Sequence, residues 1–496
     1  MTSSTAHYTT LSSLSMHSND DHPSQNTSTI AGSSDKDKGK PTVEQLSLSE
    51  GVSTSGDSYK LYKRRWTGVA ALFILEAVAS MPWVWFGLIA TQAQADMGFT
   101  ATQVNWLGTM IACAYLLIAF QIPLYVRYLG VRKTTYIGAG FMILSAWVRY
   151  AGTARSLSTG GSYALIILGQ FFAGLSQPVF QILAPKYSEL WFDLKTRTTA
   201  TMIISIANPI GGAIGQLISP TFDDTRTGIL VLGIISTGAA VSALFIQDKP
   251  PTPPTFAGSQ DSPGLYTLFQ AVFGRDTQES ARMSVRERLD FAILVWVFAS
   301  MFAAINVFGV LSSAWLGPYG YSDDTSGLMG ATLLISGIVA ALVTAPLVDR
   351  VLTSHIGLTI RVLCPIIGAA WLGFIWAVRR NSPGPLFALC AIIGACSISL
   401  LPIAIELAAE LTRNTDGSSA TLWFFGNLMC VIFIEAQDAL RAPANADPPL
   451  NMHSAFIFVG VWTCASSFFV FFLKGRQARR ERDLASSNAR VLEAEV

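Results

Sequence analysis

Glu76 is the first residue of this chain whose type and position could do chemistry. It lies eleven residues beyond Arg65 in a largely apolar segment, roughly 16 Å along a helix. Ser80 and Trp83 follow at i+4 and i+7, so a helix places all three on one face. Ionisable groups at membrane depth are costly and mark functional sites by default. The alternative is a permanently protonated Glu76 that hydrogen-bonds a neighbouring helix.

The chemistry open to Glu76 is exchange of a proton. Burial disfavours the charged form of a carboxyl group, so Glu76 is expected to be neutral when its surroundings are closed or empty. A cationic solute or a water path would stabilise the charged form. Such an exchange would couple solute movement to a proton or supply the counter-charge of a cation.

A stripe of amides occupies a second apolar segment. Gln170, Gly174, Gln177 and Gln181 recur at i, i+4, i+7 and i+11, which puts three amides on one side of a helix. This face points either to a cavity or to another helix, where the amides would serve as interhelical hydrogen bonds. In the next segment, Asn208 and the glycines around Gly211 predict a small-residue surface for close helix packing.

Two further groups lie near the end of the chain. Glu406 and Glu410 stand at i, i+4, and we expect a gate or a structural ion pair there, with Arg413 or with basic inner loops, rather than a substrate contact. Trp423 and Asn427 lie one helical turn apart.

Long apolar runs must position these residues. Of the 496 residues, 51% are hydrophobic and 13% charged, against about 25% charged in a soluble domain. A spanning helix needs about 20 largely apolar residues. Six candidates come first: Trp66–Gln92, Val104–Val126, Thr134–Ala151, Tyr163–Leu183, Thr199–Ser219 and Gly228–Ile246. Six more follow: Phe291–Leu316, Gly327–Val348, Leu358–Val378, Leu386–Leu407, Ser419–Ile434 and Ser454–Leu473.

This layout predicts an all-α membrane protein with twelve transmembrane helices in two six-helix bundles. The bundles are expected at 59–247 and 289–474, with a polar cytosolic linker at 248–288 that holds an interfacial helix around Leu265–Phe273. The tails at 1–58 and 475–496 are cytosolic, and polar composition predicts disorder up to Ser58 and beyond Arg482. Paired bundles commonly bind substrate between them near the midplane.

Most of the 33 Lys and Arg residues fall on one side of these spans, which predicts that both termini are cytosolic. The plasma membrane and a vacuole- or lysosome-type membrane both fit. We expect a monomer whose partners are the lipid bilayer, a small-molecule substrate and, if Glu76 exchanges, a coupling proton.

Other classes of function lack a sequence signal. The near balance of 33 basic and 32 acidic residues argues against a nucleic-acid partner. The six cysteines lie in apolar runs without metal spacing, and the five histidines fall in the tail and loops. No phosphate loop or nucleophile–base motif is present. We therefore expect neither an enzyme nor a cofactor.

Short loop motifs resemble the major facilitator superfamily. Its loops between the second and third spans of each half carry a Gly…Asp-Arg…Gly-Arg pattern, which Asp349 and Arg350 match in the second half. The resemblance implies a gating role for this pair. Arg127 stands where the first half of the family has Asp, so the charge latch is altered there.

A narrower resemblance is to the feline leukaemia virus subgroup C receptor-related transporters, carried by residues 62–66, 104–107, 169–192 and 406–419. That family includes choline and ethanolamine carriers, proposed heme exporters and a vitamin B6 transporter. It implies a site lined by Trp83 and Gln177, with Asn427 in place of a glutamine. The family's tyrosine on the seventh helix is absent, which alters one wall of a cation-binding aromatic cage. Glu76, Gln170 and Gln181 complete the predicted substrate-binding set.

The leading hypothesis is a secondary-active or facilitative transporter that moves a small organic solute by alternating access. The solute is an amine like choline or ethanolamine, heme or a vitamin. The rival is a membrane nutrient sensor or receptor that keeps the fold without transport. Polar residues on several helices at one depth favour transport.

Overall fold

The computed structural model describes residues 60–193, 196–254, 264–275, 282–347 and 356–475. Within these ranges the regular structure is helical, without strands. Before the linker come α1 Arg65–Leu88, α2 Ala90–Met97, α3 Ala101–Ile118, α4 Ile122–Ala151, α5 Thr159–Trp191, α6 Arg197–Ser205, α7 Ala207–Ile218 and α8 Thr225–Ala240. The linker holds α9 Leu265–Val272. After it come α10 Val285–Leu316, α11 Asp323–Leu347, α12 Ile356–Ala377, α13 Pro383–Thr412, α14 Thr415–Ala439 and α15 His453–Phe468. The predicted disordered tails lie outside the described residues.

Each predicted span overlaps one or two of these helices, and several extend beyond a helix end, as Gly228–Ile246 does beyond α8. Among the described residues, ten helical segments are long and apolar enough to cross a membrane, and α3 with α4 adds a pair bent by 84°. Gly130 interrupts α4 with a φ of 83°, so the chain turns there. Gly130 falls between the second and third predicted spans, whereas the 84° bend lies between Ile118 and Ile122. The total of twelve depends on counting two spans in this pair of helices. The eleventh span is longer than the predicted Ser419–Ile434, because α14 extends it in both directions.

Asp248, at the start of the linker, covers the turn at Gly130. Its Oδ1 accepts a hydrogen bond from the backbone N of Arg132 at 2.8 Å. A Cβ atom on Gly130 would lie 2.4 Å from that oxygen, so the contact requires glycine. Sequence comparison indicated a missing carboxylate in this loop, where Arg127 replaces the usual Asp. The structure supplies a carboxylate from the linker instead.

Both halves bring two helices together through a glycine. A Cβ atom on Gly174 of α5 would lie 2.5 Å from the carbonyl oxygen of Ile111 on α3. A Cβ atom on Gly394 of α13 would lie 1.8 Å from the carbonyl oxygen of Leu333 on α11. In each half the fourth predicted span thus crosses the second at backbone contact, and this shared feature supports the prediction of two similar halves.

The linker helix α9 contacts both halves. The ring of Phe269 packs edge-on against Phe120 at the end of α3, with the centroids 5.5 Å apart. On the other side, Asn414 donates from Nδ2 to the carbonyl oxygen of Gly264 at 3.4 Å. The helix predicted around Leu265–Phe273 is therefore present and lies across the junction between the halves.

Candidate functional site

A cavity lies between the two halves, with nine lining residues from each. The space between its lining atoms, including its open part, measures about 630 Å³. Its polar side chains are those of Ser80, Gln177, Gln181, Asn208, Gln216, Asn306 and Asn427, and its aromatic side chains are those of Trp83, Phe302 and Phe308. The described wall contains amides and rings but no charged side chain.

The first half contributes three of the predicted site residues to this wall. Trp83 on α1 and Gln177 and Gln181 on α5 are 7%, 5% and 6% exposed. Pro82 lies one residue before Trp83, inside α1, and its ring cannot donate the usual backbone hydrogen bond. The Nε1 of Trp83 and the Oε1 atoms of both glutamines have no hydrogen-bond partner among the described residues. These buried polar atoms are therefore free to contact a solute.

Helix α7 presents two different faces. On the α1 side, a Cβ atom on Gly211 would lie 1.7 Å from the carbonyl oxygen of Ala77, which explains why the sequence has glycine there. On the cavity side, Asn208, Gly212 and Gln216 recur every four residues. The small-residue surface predicted from sequence is thus present on one face, and the same helix supplies two amides to the wall.

Glu76 lies behind the cavity wall rather than in it. It is 1% exposed, and its Oε1 accepts a hydrogen bond from Nδ2 of Asn208 at 2.9 Å. Gln181 is the second amide that interacts with this carboxyl group. The Oγ of Ser80 donates to the backbone oxygen of Asn208 at 2.9 Å and fixes that residue between the carboxyl and the cavity.

Gln170, the remaining predicted glutamine, is not among the cavity-lining residues. Its Oε1 accepts a hydrogen bond from Nη1 of Arg149 at 2.9 Å, and its Nε2 donates to the carbonyl oxygens of Pro82 and Leu107, both at 3.1 Å. These bonds join α1, α3, α4 and α5 inside the first half. The sequence leaves two roles open for these glutamines. Gln170 makes hydrogen bonds between helices, whereas Gln177 and Gln181 line the cavity.

The second half contributes aromatic rings and two asparagines. Phe302 and Phe308 line the cavity from α10, and Phe302 stacks on Phe298 with the ring centroids 6.1 Å apart. Asn306 donates from Nδ2 to the carbonyl oxygen of Phe302 at 2.8 Å. Asn427 does the same to Trp423 on α14 at 2.9 Å. Each asparagine thus bonds its own helix through the NH₂ group and leaves its side-chain oxygen for another partner.

Several residues that line this cavity carry amide oxygens without a hydrogen-bond donor. Those of Gln177, Gln181, Gln216 and Asn427 are buried and have no hydrogen-bond partner among the described residues. Leaving a buried acceptor unpaired costs about 1–3 kcal/mol. A solute that carries hydrogen-bond donors or a positive charge would satisfy these oxygens, so the wall is complementary to such a solute.

An ion-pair cluster joins the halves on the side of the linker. Nη2 of Arg197 on α6 lies 3.5 Å from Glu406 and 4.0 Å from Glu410, both on α13. Arg413 instead contacts Glu287 of α10 at 2.6 Å, within the second half. The two glutamates therefore pair with a basic residue of the first half, one of the two arrangements expected from sequence. The other predicted gating residues, Asp349 and Arg350, lie outside the described residues.

Among the amide and aromatic side chains of the cavity, sequence reasoning missed Gln216, Asn306, Phe302 and Phe308, and it assigned Asn208 to helix packing. A signal for Asn306 and Phe302 is present, since Asn306 is an amide in an apolar span and Phe302 lies one turn before it. The aromatic side chains of α10 enter the wall beyond the stretch Trp296–Ser300 that was compared with the family's tyrosine. Gln216 was overlooked because the glycines around it dominated the pattern.

Among the described residues, no three His, Cys, Asp or Glu side chains come together in a group that could hold a metal ion. The six cysteines, all in described segments, are free thiols.

Comparison with known proteins adds an independent line of evidence. The model of the Major Facilitator Superfamily matches residues 72–434, well over half of the chain. Solute carrier family 49 member A3 of Danio rerio is 26% identical over 90% of this chain and 96% of its own length. The human choline/ethanolamine transporter FLVCR2 is 22% identical, over 85% of this chain and 80% of its own.

A solved structure shares the fold. The crystal structure of the human organic anion transporter MFSD10 (TETRAN) superposes with a TM-score of 0.59. It covers 82% of this chain and 99% of its own, at 11% sequence identity. At this identity the likeness concerns the fold alone.

Proposed function

The chain belongs to the Major Facilitator Superfamily and is a multi-pass membrane transporter, and we propose that it moves a small amine or monovalent organic cation by alternating access. One observation carries the choice of solute: the cavity combines Trp83 and two phenylalanines with unpaired amide oxygens and no charged side chain. An aromatic face attracts a cation, and amide oxygens accept from its N–H or O–H groups.

The other solutes suggested by the resemblance fit less well. Heme carries two carboxylates, and the described wall offers neither Lys nor Arg to pair with them. A neutral vitamin would leave the aromatic faces without a cation. Relatives named as choline/ethanolamine transporters cover most of this chain at 22–23% identity, and their printed substrates belong to the class that the wall accommodates.

Uptake into proteoliposomes tests the proposal. Purified protein is reconstituted, and entry of radiolabelled choline and ethanolamine is measured against protein-free vesicles. Saturable uptake of either amine is the expected result. Retained amine binding without any flux would favour the rival, a sensor that keeps the transporter fold, for which the comparisons offer no support.

The topology is part of the same proposal. The apolar spans predict bundles at 59–247 and 289–474 with a linker at 248–288, and the distribution of basic residues predicts that the linker and both termini are cytosolic. Single-cysteine variants at Ser259 and Asp323 test this orientation in intact cells. A membrane-impermeant thiol reagent should label position 323 from outside and leave position 259 unlabelled. The reverse pattern would show that the orientation in the membrane is the opposite one.

A further inference from the structure

Glu76 carries a buried carboxyl group, and two residues that line the cavity lie between this group and the cavity. Asn208 donates to its Oε1 at 2.9 Å, and Gln181 also interacts with it. Asn208 and Gln181 both line the cavity. The carboxyl group is thus one side chain away from any solute, although it does not touch that solute.

Three polar atoms around this carboxyl group are unpaired. Oε2 of Glu76, Oε1 of Gln181 and the hydroxyl of Tyr115 are buried without hydrogen-bond partners among the described residues. A carboxylate oxygen with no donor is costly inside a membrane protein. A proton on Oε2 would remove that cost and give the carboxyl group an O–H that can be donated to one of the two remaining acceptors.

The surroundings of Glu76 favour a proton over a metal ion. No group of three His, Cys, Asp or Glu side chains forms around it among the described residues, and Asn208 presents an N–H donor rather than an oxygen ligand. Tyr115 of α3 is the titratable group that faces it, whereas α5 and α7 face it with amides. No charged side chain of the described residues pairs with it, so its own charge depends on the proton and on the contents of the cavity.

We propose that Glu76 binds a proton that exchanges with the cationic solute in the cavity, so that the protein works as a proton–cation antiporter. The inference rests on the proposed function. When a monovalent cation enters, the proton leaves Oε2 for water on the open side and the carboxyl group becomes anionic. One positive charge replaces another, so the sum over cavity and carboxyl is unchanged.

Asn208 and Gln181 transmit the exchange. An anionic Glu76 attracts their NH₂ groups, which leaves their carbonyl oxygens for the cation. A protonated Glu76 donates to a carbonyl oxygen and releases an NH₂ group toward the cavity, where it repels a cation. The wall therefore favours a cation only when the proton has left.

Proteoliposomes with a pH gradient test the exchange, with radiolabelled choline and ethanolamine as probes. Acid inside should drive uptake of the transported amine, and a one-for-one exchange gives up to about tenfold accumulation for about one pH unit. Glu76→Gln should lose this response. Glu435→Gln, at an exposed position on α14, is the matched control and should keep it.

Infrared difference spectra between acid and alkaline pH give a readout that does not depend on flux. The wild type should show the C=O band of a protonated carboxyl group that disappears in Glu76→Gln. Asn208→Ala should keep this band and lose the gradient response, which covers the case in which Glu76→Gln does not fold.

The outcomes separate the two proposals. Wild-type uptake that ignores the gradient, or a carboxyl band that Glu76→Gln does not alter, would overturn the exchange and leave transport standing. No uptake of either amine by the wild type would instead overturn the proposed function, and the exchange with it.

Discussion

The two halves contribute the same number of residues to the cavity wall, but the chemical types of these residues differ. The wall of the first half carries a tryptophan, four amides and, one layer behind, a carboxyl group. The wall of the second half carries two phenylalanines and two asparagines whose NH₂ groups are bonded to their own helices. The difference predicts that the first half recognises the polar part of a solute, whereas the second half provides an apolar surface.

The largest effect is expected where the first half is assembled. Gly211→Leu would place a side chain on the carbonyl oxygen of Ala77, because even a Cβ atom lies 1.7 Å from it. Overpacking of backbone against backbone cannot relax through a rotamer, so we expect a loss of at least about 3 kcal/mol and no monodisperse protein in size-exclusion chromatography.

Gly238→Leu on α8 is the matched control, since nothing lies within 4 Å of a Cβ atom there. Normal folding of Gly211→Leu would show that the α1–α7 contact does not determine the wall of the first half.

The next effect concerns the ion pairs that hold the halves together. Arg197→Ala would leave Glu406 and Glu410 buried without this partner, which costs about 3–5 kcal/mol for a buried pair. We expect the linker side to open, and labelling of an introduced cysteine at the junction would report it. The charge-reversed double variant Arg197→Glu with Glu406→Arg should restore closure in part.

Arg441→Ala, which breaks the more exposed pair with Asp438, should leave the labelling unchanged. Unaltered labelling in Arg197→Ala would mean that apolar contacts alone close this side.

A comparison of two aromatic residues tests the asymmetry directly. Trp83→Leu removes the best cation-binding ring, worth roughly 0.5–2 kcal/mol, so choline affinity should fall about tenfold. Phe302→Leu should cost less than about threefold, because that ring is already packed against Phe298 and Trp423. Equal losses in a binding assay, with normal expression of both variants, would contradict the division of roles.

The amides should give smaller effects than Trp83. Gln177→Ala removes a buried unpaired acceptor that faces the cavity, and a lost hydrogen bond of about 1 kcal/mol weakens affinity about fivefold. Asn427→Ala should weaken it only about twofold, since half of that amide serves Trp423. A larger loss for Asn427 in the same binding assay would move polar recognition to the second half.

The sequence predicts which segments are helical, but it does not predict which side chains a neighbouring helix will bury. Apolar length predicts the spans, and helical spacing places Gln177 and Gln181 on one face of α5, which lines the cavity together with Trp83 of α1. Spacing alone could not separate Gln170 from the other glutamines. Gln170 is covered by the α1 and α3 backbones that approach it, and that approach is set by tertiary contacts.

The same limit applies to charge. The sequence places Glu76 at membrane depth, but it does not say whether the carboxyl group faces the solute or an amide. Asn208 decides this, and it comes from a helix more than a hundred residues away. Likewise, the sequence leaves the partner of Glu406 open between Arg413 and the basic inner loops, and the structure gives Arg197.

The linker helix α9 gives the junction a mechanical property. The ring of Phe269 binds it to the first half, and the hydrogen bond from Asn414 binds it to the second, so it bridges the junction between the halves. When the halves move apart at the junction, one of these two contacts must break first, and the helix then moves with the half that it still contacts. The two contacts of α9 therefore oppose separation of the halves until one of them breaks. A modification of α9 would change the rate of the transport cycle without any contact to the solute.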